Sequence, residues 1–368
     1  LLEKDGDGAL AFTNPNNDFR GSIDLVNGSI DLSGEGVIGD SSYWDIALFN
    51  SSVFDVSGYT GGALTIGPIQ TSDSVDSTKT RFILGDIPVS INNRINNTFE
   101  GTISGEGSIT LIGLSPLTLE GANTYTGGTN INSSGPLALS GKGSLLSTGS
   151  LNINSDVGVF NITSISASGT TIGDLTGVTG ASILLGEKQL TFGTSNNTLF
   201  EGVISDSGSI IKQGSGVQTF TSANTYTGGT TVNDGTLAFS GNGLLTSTGS
   251  LTLSGSGIFD ISEITAGNFT IGDLISSSTS TGISLGDKLL ILGSGNNQTF
   301  AGAISGNGSV VKTGSGTATF SGSSTYSGGT TVLEGILVLT TCESAGTGDL
   351  HVYGTAEVFF YGDCYYTN

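Results

Sequence analysis

The feature that most constrains the fold of this chain is a self-repeat with a period of about 100 residues. The segment Asn123–Thr129 returns unchanged at Asn224–Thr230, and Thr325–Thr330 repeats its last six residues with Ser327 in place of a threonine. Three shorter markers recur in the same order. The first lies at Phe99–Gly101, Phe200–Gly202 and Phe300–Gly302, and the second at Leu84–Asp86, Leu185–Glu187 and Leu285–Asp287. The third lies at Ile66–Gly67, Ile172–Asp174 and Ile271–Asp273. Self-similarity of this kind indicates a repeat architecture, so fold and function must be read from the unit.

The repeated unit carries the pattern of short strands. Segments such as Thr236–Ser240 and Ser250–Ser254 alternate apolar with small or polar residues, which is the period of a β-strand. The chain contains 61 glycines, mostly in pairs that mark turns. With 35% hydrophobic and only 11% charged residues, the composition is not that of a disordered segment. We predict an ordered, all-β repeat protein.

Two all-β repeat architectures compete, a propeller and a solenoid. Propeller blades repeat every ~40–50 residues, which fits a unit of about 100 residues poorly. A solenoid with about 20–25 residues per coil places four or five coils in each unit. We therefore predict a parallel β-helix of about 15–18 coils over residues 1–368. Its approximate units are 1–124, 125–225, 226–326 and a partial unit, 327–368.

The charge of the chain excludes some partners. Ten Lys and Arg stand against 31 Asp and Glu, giving a net charge of −21. Nucleic acids require a basic footprint, and anionic membrane surfaces also attract basic segments. No apolar run is long enough to span a bilayer as a helix. We expect the acidic surface to keep the protein dispersed, with Ca²⁺ capture as a weak alternative because the glycine- and aspartate-rich calcium nonapeptides are missing.

The beginning of the chain already lies within the repeat pattern. Glu3–Phe12 aligns with Ile211–Phe220, and the sequence contains no methionine. We expect the chain to be a piece of a longer or processed polypeptide.

The segment Gly214–Leu237 resembles the passenger-associated transport repeat, also called the autotransporter-associated β-strand repeat. Further copies lie at Gly314–Leu337 and Gly113–Leu137, and a degenerate copy includes Phe19–Leu25. The resemblance implies a passenger domain of a type V secretion (autotransporter) protein of a Gram-negative-type bacterium, folded outside the outer membrane as a right-handed β-helix. It places the chain at the cell surface and assigns no ligand.

The candidates for catalysis are few. His351 is the one histidine, and the alternation of Leu350–Tyr353 points it outward. Asp174, Asp273 and Asp287 recur once per repeat, whereas a catalytic site should occur once, so we interpret them as turn residues. We expect no catalytic residue, no cofactor and no metal site.

The most regular residues are those of the Tyr-Thr-Gly-Gly corner. We interpret them as structural: an Asn that tolerates a left-handed backbone and bonds its own turn, a half-buried Tyr and two glycines. A ligand-binding ladder is the alternative, although copies one unit apart are several coils apart. These residues are Asn123, Tyr125, Gly127, Gly128, Asn224, Tyr226, Gly228, Gly229, Tyr326, Gly328 and Gly329.

The two cysteines, Cys342 and Cys364, lie 22 residues apart, which is about one coil. Strands of neighbouring coils are ~4.8 Å apart, within the Cα separation that a disulfide requires. We predict a disulfide that staples the C-terminal coil, with free thiols as the alternative; an extracellular setting permits the bridge.

The sequence thus favours a non-enzymatic, adhesin-like surface rod at the bacterial cell surface, with an unidentified ligand on a host or neighbouring cell. The alternative is the subunit of an extracellular fibre or sheath built by end-to-end self-association, because no polar cap is recognisable at either end. A polysaccharide-cleaving β-helix is the third and weakest reading. Neither nucleic acid nor membrane insertion of this segment is expected.

Overall fold

The computed structural model describes residues 1–17, 19–38, 44–71, 79–246 and 248–361. They form two compact units, Leu1–Lys188 and Gln189–Asn368, each a stack of parallel β-coils. The two units together hold about 16 coils, so the predicted all-β solenoid class is confirmed. The repeat boundaries and the right-handed winding stay predictions.

The first unit is built from short strands separated by tight turns. Its described strands are β1 (Leu2–Lys4), β2 (Ala9–Phe12), β3 (Ile23–Leu25), β4 (Ser29–Gly34), β5 (Ile46–Leu48), β6 (Val53–Tyr59), β7 (Leu64–Ile66), β8 (Ile69–Thr71), β9 (Arg81–Ile83), β10 (Val89–Asn93), β11 (Asn97–Phe99), β12 (Thr102–Ser104), β13 (Ile109–Gly113), β14 (Leu117–Leu119), β15 (Thr129–Ile131), β16 (Leu137–Gly141), β17 (Leu151–Ile153), β18 (Val159–Ile165), β19 (Gly169–Thr171), β20 (Leu175–Gly177) and β21 (Ser182–Leu184).

The second unit is also built from short strands separated by tight turns. Its described part contains in addition a single 3₁₀ helix, Cys342–Ala345. Its described strands are β22 (Gln189–Phe192), β23 (Thr198–Phe200), β24 (Val203–Ser205), β25 (Ser209–Lys212), β26 (Val217–Phe220), β27 (Ala223–Asn224), β28 (Thr230–Val232), β29 (Thr236–Gly241), β30 (Leu244–Leu245), β31 (Leu251–Leu253), β32 (Ile258–Ile264), β33 (Asn268–Ile271), β34 (Leu274–Ile275), β35 (Gly282–Ser284), β36 (Leu289–Leu292), β37 (Gln298–Phe300), β38 (Ala303–Ser305), β39 (Ser309–Lys312), β40 (Thr317–Phe320), β41 (Thr330–Val332), β42 (Ile336–Leu339), β43 (Leu350–Val352) and β44 (Glu357–Phe360).

The strands of successive coils stack in parallel sheets. In the first unit the sheets run β1-β3-β5-β8, β2-β4-β6-β9-β12, β7-β10-β13-β15-β17-β20 and β11-β14-β16-β18-β21. In the second they run β22-β25-β28-β31-β34, β23-β26-β29-β32-β35-β38, β27-β30, β33-β36-β39-β41-β43 and β37-β40-β42-β44. Each coil therefore bonds its backbone to the coils before and after it, which is how a chain with little helix satisfies its peptide groups.

Alternation along each strand sets the inside and outside of the coil. In β28 and β31, Thr230 pairs with Leu251 and Val232 with Leu253, and all four are buried. Thr231, between the two inward positions, is only partly exposed and faces outward. Because a three-residue strand points two side chains inward, even these short strands build a continuous core.

Aromatic side chains fill the interior of the second unit. Phe220 lies against Phe239 with ring centroids 5.7 Å apart, and Phe239 lies 5.3 Å from Phe259. Burying one such side chain stabilises a fold by about 1.5–3 kcal/mol. Phenylalanines at matching positions of successive coils thus bind neighbours together along the stack.

The sheets are interrupted where one strand is longer than its neighbour. The pairing of β16 with β18 shifts between Ala138 and Ser140, and that of β29 with β32 shifts between Ala238 and Ser240. A third shift separates Asp31 from Ser33 where β4 meets β6. These β-bulges carry the longer strands beyond the corner of the coil and form a ledge there.

Candidate functional site

The repeated motif forms what we call the repeat corner, defined by Asn123–Thr129, Asn224–Thr230 and Ser324–Thr330. Its tyrosines, Tyr125, Tyr226 and Tyr326, are 2%, 1% and 0% exposed. The prediction that they are half-buried was wrong, because each phenol finds a hydrogen-bond partner four residues on. A buried hydroxyl that has a partner no longer needs water.

That partner is a threonine at the start of the following strand. The Tyr125 hydroxyl lies 2.6 Å from Thr129 Oγ1, and the Tyr226 hydroxyl lies 2.6 Å from Thr230 Oγ1. Tyr326 and Thr330 form the same pair. Sequence reasoning had not assigned a role to this threonine, although its presence in all three corners was the available signal.

Burial also determines the protonation of the tyrosines. It raises the pKa of Tyr125 to about 12, while the hydrogen bond to Thr129 acts in the opposite direction. Burial raises the pKa of Tyr226 as well, again opposed by its threonine. Both phenols therefore stay neutral near neutral pH, and their place in the core leaves them no contact with a substrate.

The corner asparagines tie one coil to the preceding one. Asn123 Oδ1 accepts a hydrogen bond from the Ile103 amide at 2.9 Å, and Asn224 Oδ1 accepts one from the Ile204 amide at 2.8 Å. In the third corner Ser324 Oγ accepts from the Ile304 amide at 3.1 Å. These side chains are buried and carry no surface available for a ligand.

The prediction that the corner asparagine bonds the backbone of its own turn is correct. The prediction that it adopts a left-handed backbone is wrong. Asn123 Nδ2 donates to the Gly121 carbonyl at 2.9 Å, which is a bond within the same turn. Among the described non-glycine residues, however, a positive φ occurs at Asn50 and Asp206 and not at the corner asparagines. The glycines supply the left-handed backbone, so asparagine is present for its amide group.

The two glycines of each corner have different reasons to be glycine. Gly128, Gly229 and Gly329 have φ values of +88°, +99° and +85°, a region that side chains disfavour. Gly228 has no such φ, but a Cβ there would lie 2.6 Å from the carbonyl oxygens of Ser207 and Gly208. Gly127 and Gly328 approach the preceding coil in the same way.

A second recurring feature of the repeat, missed by sequence reasoning, is a lysine that caps the turn after its strand. Lys212 and Lys312 are 1% and 2% exposed. Lys212 Nζ donates to the carbonyls of Gln213, Gly214 and Asp234 at 2.9, 2.7 and 3.2 Å. Lys4 Nζ donates similarly to Gly6 at 2.5 Å and to Asn27 at 3.0 Å.

These lysines join the turn of one coil to the turn of the next. Lys312 donates to Gly314 and, at 3.0 Å, to Glu334. Burial lowers the pKa of Lys312, while the charge of Glu334 raises it. The signal in the sequence was position, since each lysine stands two residues before a glycine at the equivalent place of a repeat.

Among the residues considered for catalysis, Asp273 and Asp287 already have hydrogen-bond or ion-pair partners. His351 is exposed on β43, as predicted, with its ring centroid 6.4 Å from that of Tyr353. Asp273 accepts hydrogen bonds from Ser294 and from Asn296 Nδ2. Asp287 forms an ion pair with Lys288 at 2.6 Å, and this lysine lowers the pKa of the Asp287 carboxyl.

The described residues contain neither a metal-binding cluster nor a membrane-spanning helix. In that part of the chain, no group of three or more His, Cys, Asp and Glu side chains is arranged to hold a metal ion. Nor do the described ranges contain a helix with the length and apolar character needed to cross a membrane.

Cys342 opens the 3₁₀ helix Cys342–Ala345 and is in the disulfide-bonded form. Cys364 lies outside the described residues, so the predicted pairing of the two cysteines stays a prediction. Nearby, Phe359 and Tyr361 are exposed rather than packed into the core.

The fold and its corners define a class of protein: a β-solenoid whose recurring residues hold coils together. The family model of the passenger-associated-transport-repeat matches residues 2–32, 109–139, 210–239 and 310–339. Three of these matches contain a repeat corner, and three contain a capping lysine. The chain contains four passenger-associated transport repeats, and the resemblance predicted from its sequence is confirmed.

One curated relative is the adhesin BmaC autotransporter of Brucella suis biovar 1 (strain 1330). It is 32% identical over 137 residues, which is 36% of this chain and 4% of the relative. The chain therefore spans a small part of that protein's length. No solved structure matches the chain.

Proposed function

We propose that this chain is a non-enzymatic, extracellular passenger region of an autotransporter, which acts at the bacterial surface as an adhesin. The observation that carries the proposal is the presence of four passenger-associated transport repeats. The similarity to a protein named as an adhesin autotransporter supports the same reading.

The structure of the repeat agrees with a role in display. The recurring Asn, Tyr, Gly, Thr and Lys side chains hold the coils together, as the contacts of Asn224, Tyr226 and Lys212 show in the second unit. The outward positions between them are free to differ from coil to coil. A scaffold of this kind presents an extended lateral surface in which recognition depends on local side chains.

Adhesion can be tested with the purified chain and intact cells. Beads coated with the folded chain should bind a panel of host and bacterial cells several-fold more than beads coated with the same chain unfolded. Soluble folded chain should compete for this binding in proportion to its concentration. Equal binding of the folded, unfolded and uncoated beads across the panel contradicts the proposal.

A fibre or sheath subunit is the second candidate, favoured by exposed apolar residues on the last described strands. Val352 on β43, and Phe359 and Phe360 on β44, are all exposed. Exposed apolar side chains of this kind favour contact with a second copy. Electron microscopy at increasing protein concentration decides: filaments favour the fibre, and particles that stay single exclude it.

A further inference from the structure

A cleft of about 420 Å³ opens on the lateral surface of the first unit. Its charged lining consists of Glu100, Glu120 and Lys142, accompanied by the hydroxyls of Thr102 and Ser166. This volume lies within the range of small-molecule sites, about 300–1,000 Å³. Its charged residues are not part of the repeat corner.

The cleft arises from the unequal lengths of stacked strands. β11 and β14 end at Phe99 and Leu119, whereas β16 and β18 continue to Gly141 and Ile165 past their β-bulge. The longer strands therefore overhang the corner at which the shorter strands turn. Three small residues also line the cleft, namely Gly121, Ala122 and Gly141.

Stacking brings the two carboxylates to neighbouring coils. Phe99 pairs with Leu119, so Glu100 and Glu120 follow directly after paired residues of β11 and β14. Like charges at such adjacent positions repel each other, and a cation between them relieves the repulsion. Ser140 Oγ donates to Glu120 Oε1 at 2.6 Å, which holds that carboxylate in place.

The remaining charged groups face solvent. Glu100 and Lys142 are exposed. In the described part of the chain, neither side chain forms an ion pair or a side-chain hydrogen bond. The cleft thus offers both carboxylate acceptors and an ammonium donor.

The second unit contains the same ledge with one of these charges, since Glu201 stands where the first unit has Glu100. At its β29–β32 bulge, Thr221 stands where the first unit has Glu120, and Asn242 stands where it has Lys142. Thr265 Oγ1 donates to Asn242 Oδ1 at 3.2 Å, so the polar groups there bond each other. The fold of the ledge therefore does not require Glu120 and Lys142, and both side chains are available to contact a ligand.

We propose that this cleft binds a saccharide that carries a free amino group. The ammonium of the sugar would lie between Glu100 and Glu120, since charge-assisted hydrogen bonds to carboxylates are the strongest available there. Lys142 would donate to ring hydroxyls. A sugar ring would lie beside the small residues Gly121, Ala122 and Gly141, which leave room for it in the cleft. The inference deepens the proposed adhesin function by naming a ligand class.

Titration calorimetry with the purified full chain tests the site. The probes are the unsubstituted glucosamine disaccharide and its N,N′-diacetylated form, which differ in the cationic groups and share the rings. We expect the amine form to bind about tenfold or more tightly, and its binding to weaken with added salt. Glu120→Gln should weaken it by about tenfold, and Lys142→Ala by several-fold. The matched control is Asn242→Ala at the equivalent ledge, which should leave binding unchanged.

Equal affinity for the two disaccharides, or a Kd weaker than about 10 mM for both, overturns the proposal. An unchanged affinity of the Lys142→Ala variant also overturns it. This variant removes an exposed side chain and should fold, so it still tests the proposal if Glu120→Gln does not fold. The saccharide titration uses no cells and so fails independently of adhesion. If the chain binds the sugar but not cells, the saccharide site is supported and the adhesin function is rejected. If it binds cells but not the sugar, the adhesin function is supported and the saccharide site is rejected.

Discussion

The tyrosine of the repeat corner shows how one residue can stabilise several coils. Its ring fills the core, and its hydroxyl remains bonded to a threonine that begins the next strand, as in the pair of Tyr226 and Thr230. The neighbouring Asn224 bonds the preceding coil. Every part of the motif is thus used inside the molecule, which explains why it recurs while the outer surface differs.

Replacing Tyr226 by phenylalanine tests the value of the buried hydroxyl. The change leaves Thr230 Oγ1 without its 2.6 Å partner, so we expect a loss of about 1–2 kcal/mol in the free energy of opening of this coil. Hydrogen exchange of peptides covering residues 209–257 measures it. The control is Tyr353→Phe at an exposed site, with an effect within about 0.5 kcal/mol. Equal effects of the two substitutions would show that the Tyr226 hydroxyl bond contributes nothing.

The capping lysine gives a second test at this scale. Lys212→Met keeps the apolar stem but leaves the carbonyls of Gln213, Gly214 and Asp234 without their shared donor. We expect a destabilisation of at least about 2 kcal/mol, because a buried charged donor is lost. Urea unfolding measures this loss. The control is Lys142→Met at an exposed lysine, which should leave the free energy of unfolding nearly unchanged. If Lys212→Met also leaves the free energy of unfolding unchanged, the hydrogen bonds of this lysine do not stabilise the two turns.

At the scale of elements, the turns must approach one another as closely as the paired strands of neighbouring coils do. Three-residue strands contribute few contacts each, whereas the glycine pair lets the backbone of one coil approach the next. Gly229 combines φ +99° with a neighbouring Ser250 Oγ that a Cβ would meet at 2.7 Å. Gly241, at a bulge, has φ +57° and open space around the same position.

Alanine at these two positions should therefore have unequal effects. Gly241→Ala adopts an ordinary left-handed conformation and should cost about 1 kcal/mol. Gly229→Ala adds a clash to an unfavourable φ, and we expect at least twice that loss. Urea unfolding followed by circular dichroism compares them. The same midpoint for both variants would contradict the close approach at the corner.

The disulfide of Cys342 gives an element-scale prediction for the end of the second unit. If the bridge staples the last coil, reduction should speed hydrogen exchange in β43 and β44 and leave the corners at Tyr226 and Tyr326 protected. The loss of loop constraint in the unfolded chain is the physical reason. Unchanged exchange of β43 and β44 after reduction would show that packing alone holds them.

The sequence predicted the coils because their determinants are local: strand alternation, glycine turns and a repeat that can be read by eye. It predicted the repeat corner for the same reason. It did not predict that Tyr125 is fully buried or that Lys212 caps a turn, since lysine and tyrosine are usually partly exposed and their partners lie in another part of the coil. The cleft depends on a β-bulge and on the stacking of Glu100 beside Glu120, which sequence spacing alone does not show.

At the scale of the whole molecule, the residues that hold the scaffold together differ from those available for recognition. The scaffold residues recur from one transport repeat to the next, and their interactions connect neighbouring coils. The net charge of −21 favours dispersal of such a protein by self-repulsion. The residues that distinguish one ledge from another, such as Glu120 and Lys142 against Thr221 and Asn242, are the ones that a ligand can read.

Surface exposure on the producing bacterium is the most direct test of this account. Antibodies raised against the folded chain should label intact, unpermeabilised cells, and protease added to those cells should remove the label. Both results are expected if the four transport repeats deliver the chain to the outer surface. Label that appears only after the cells are permeabilised, and that resists external protease, would contradict the account.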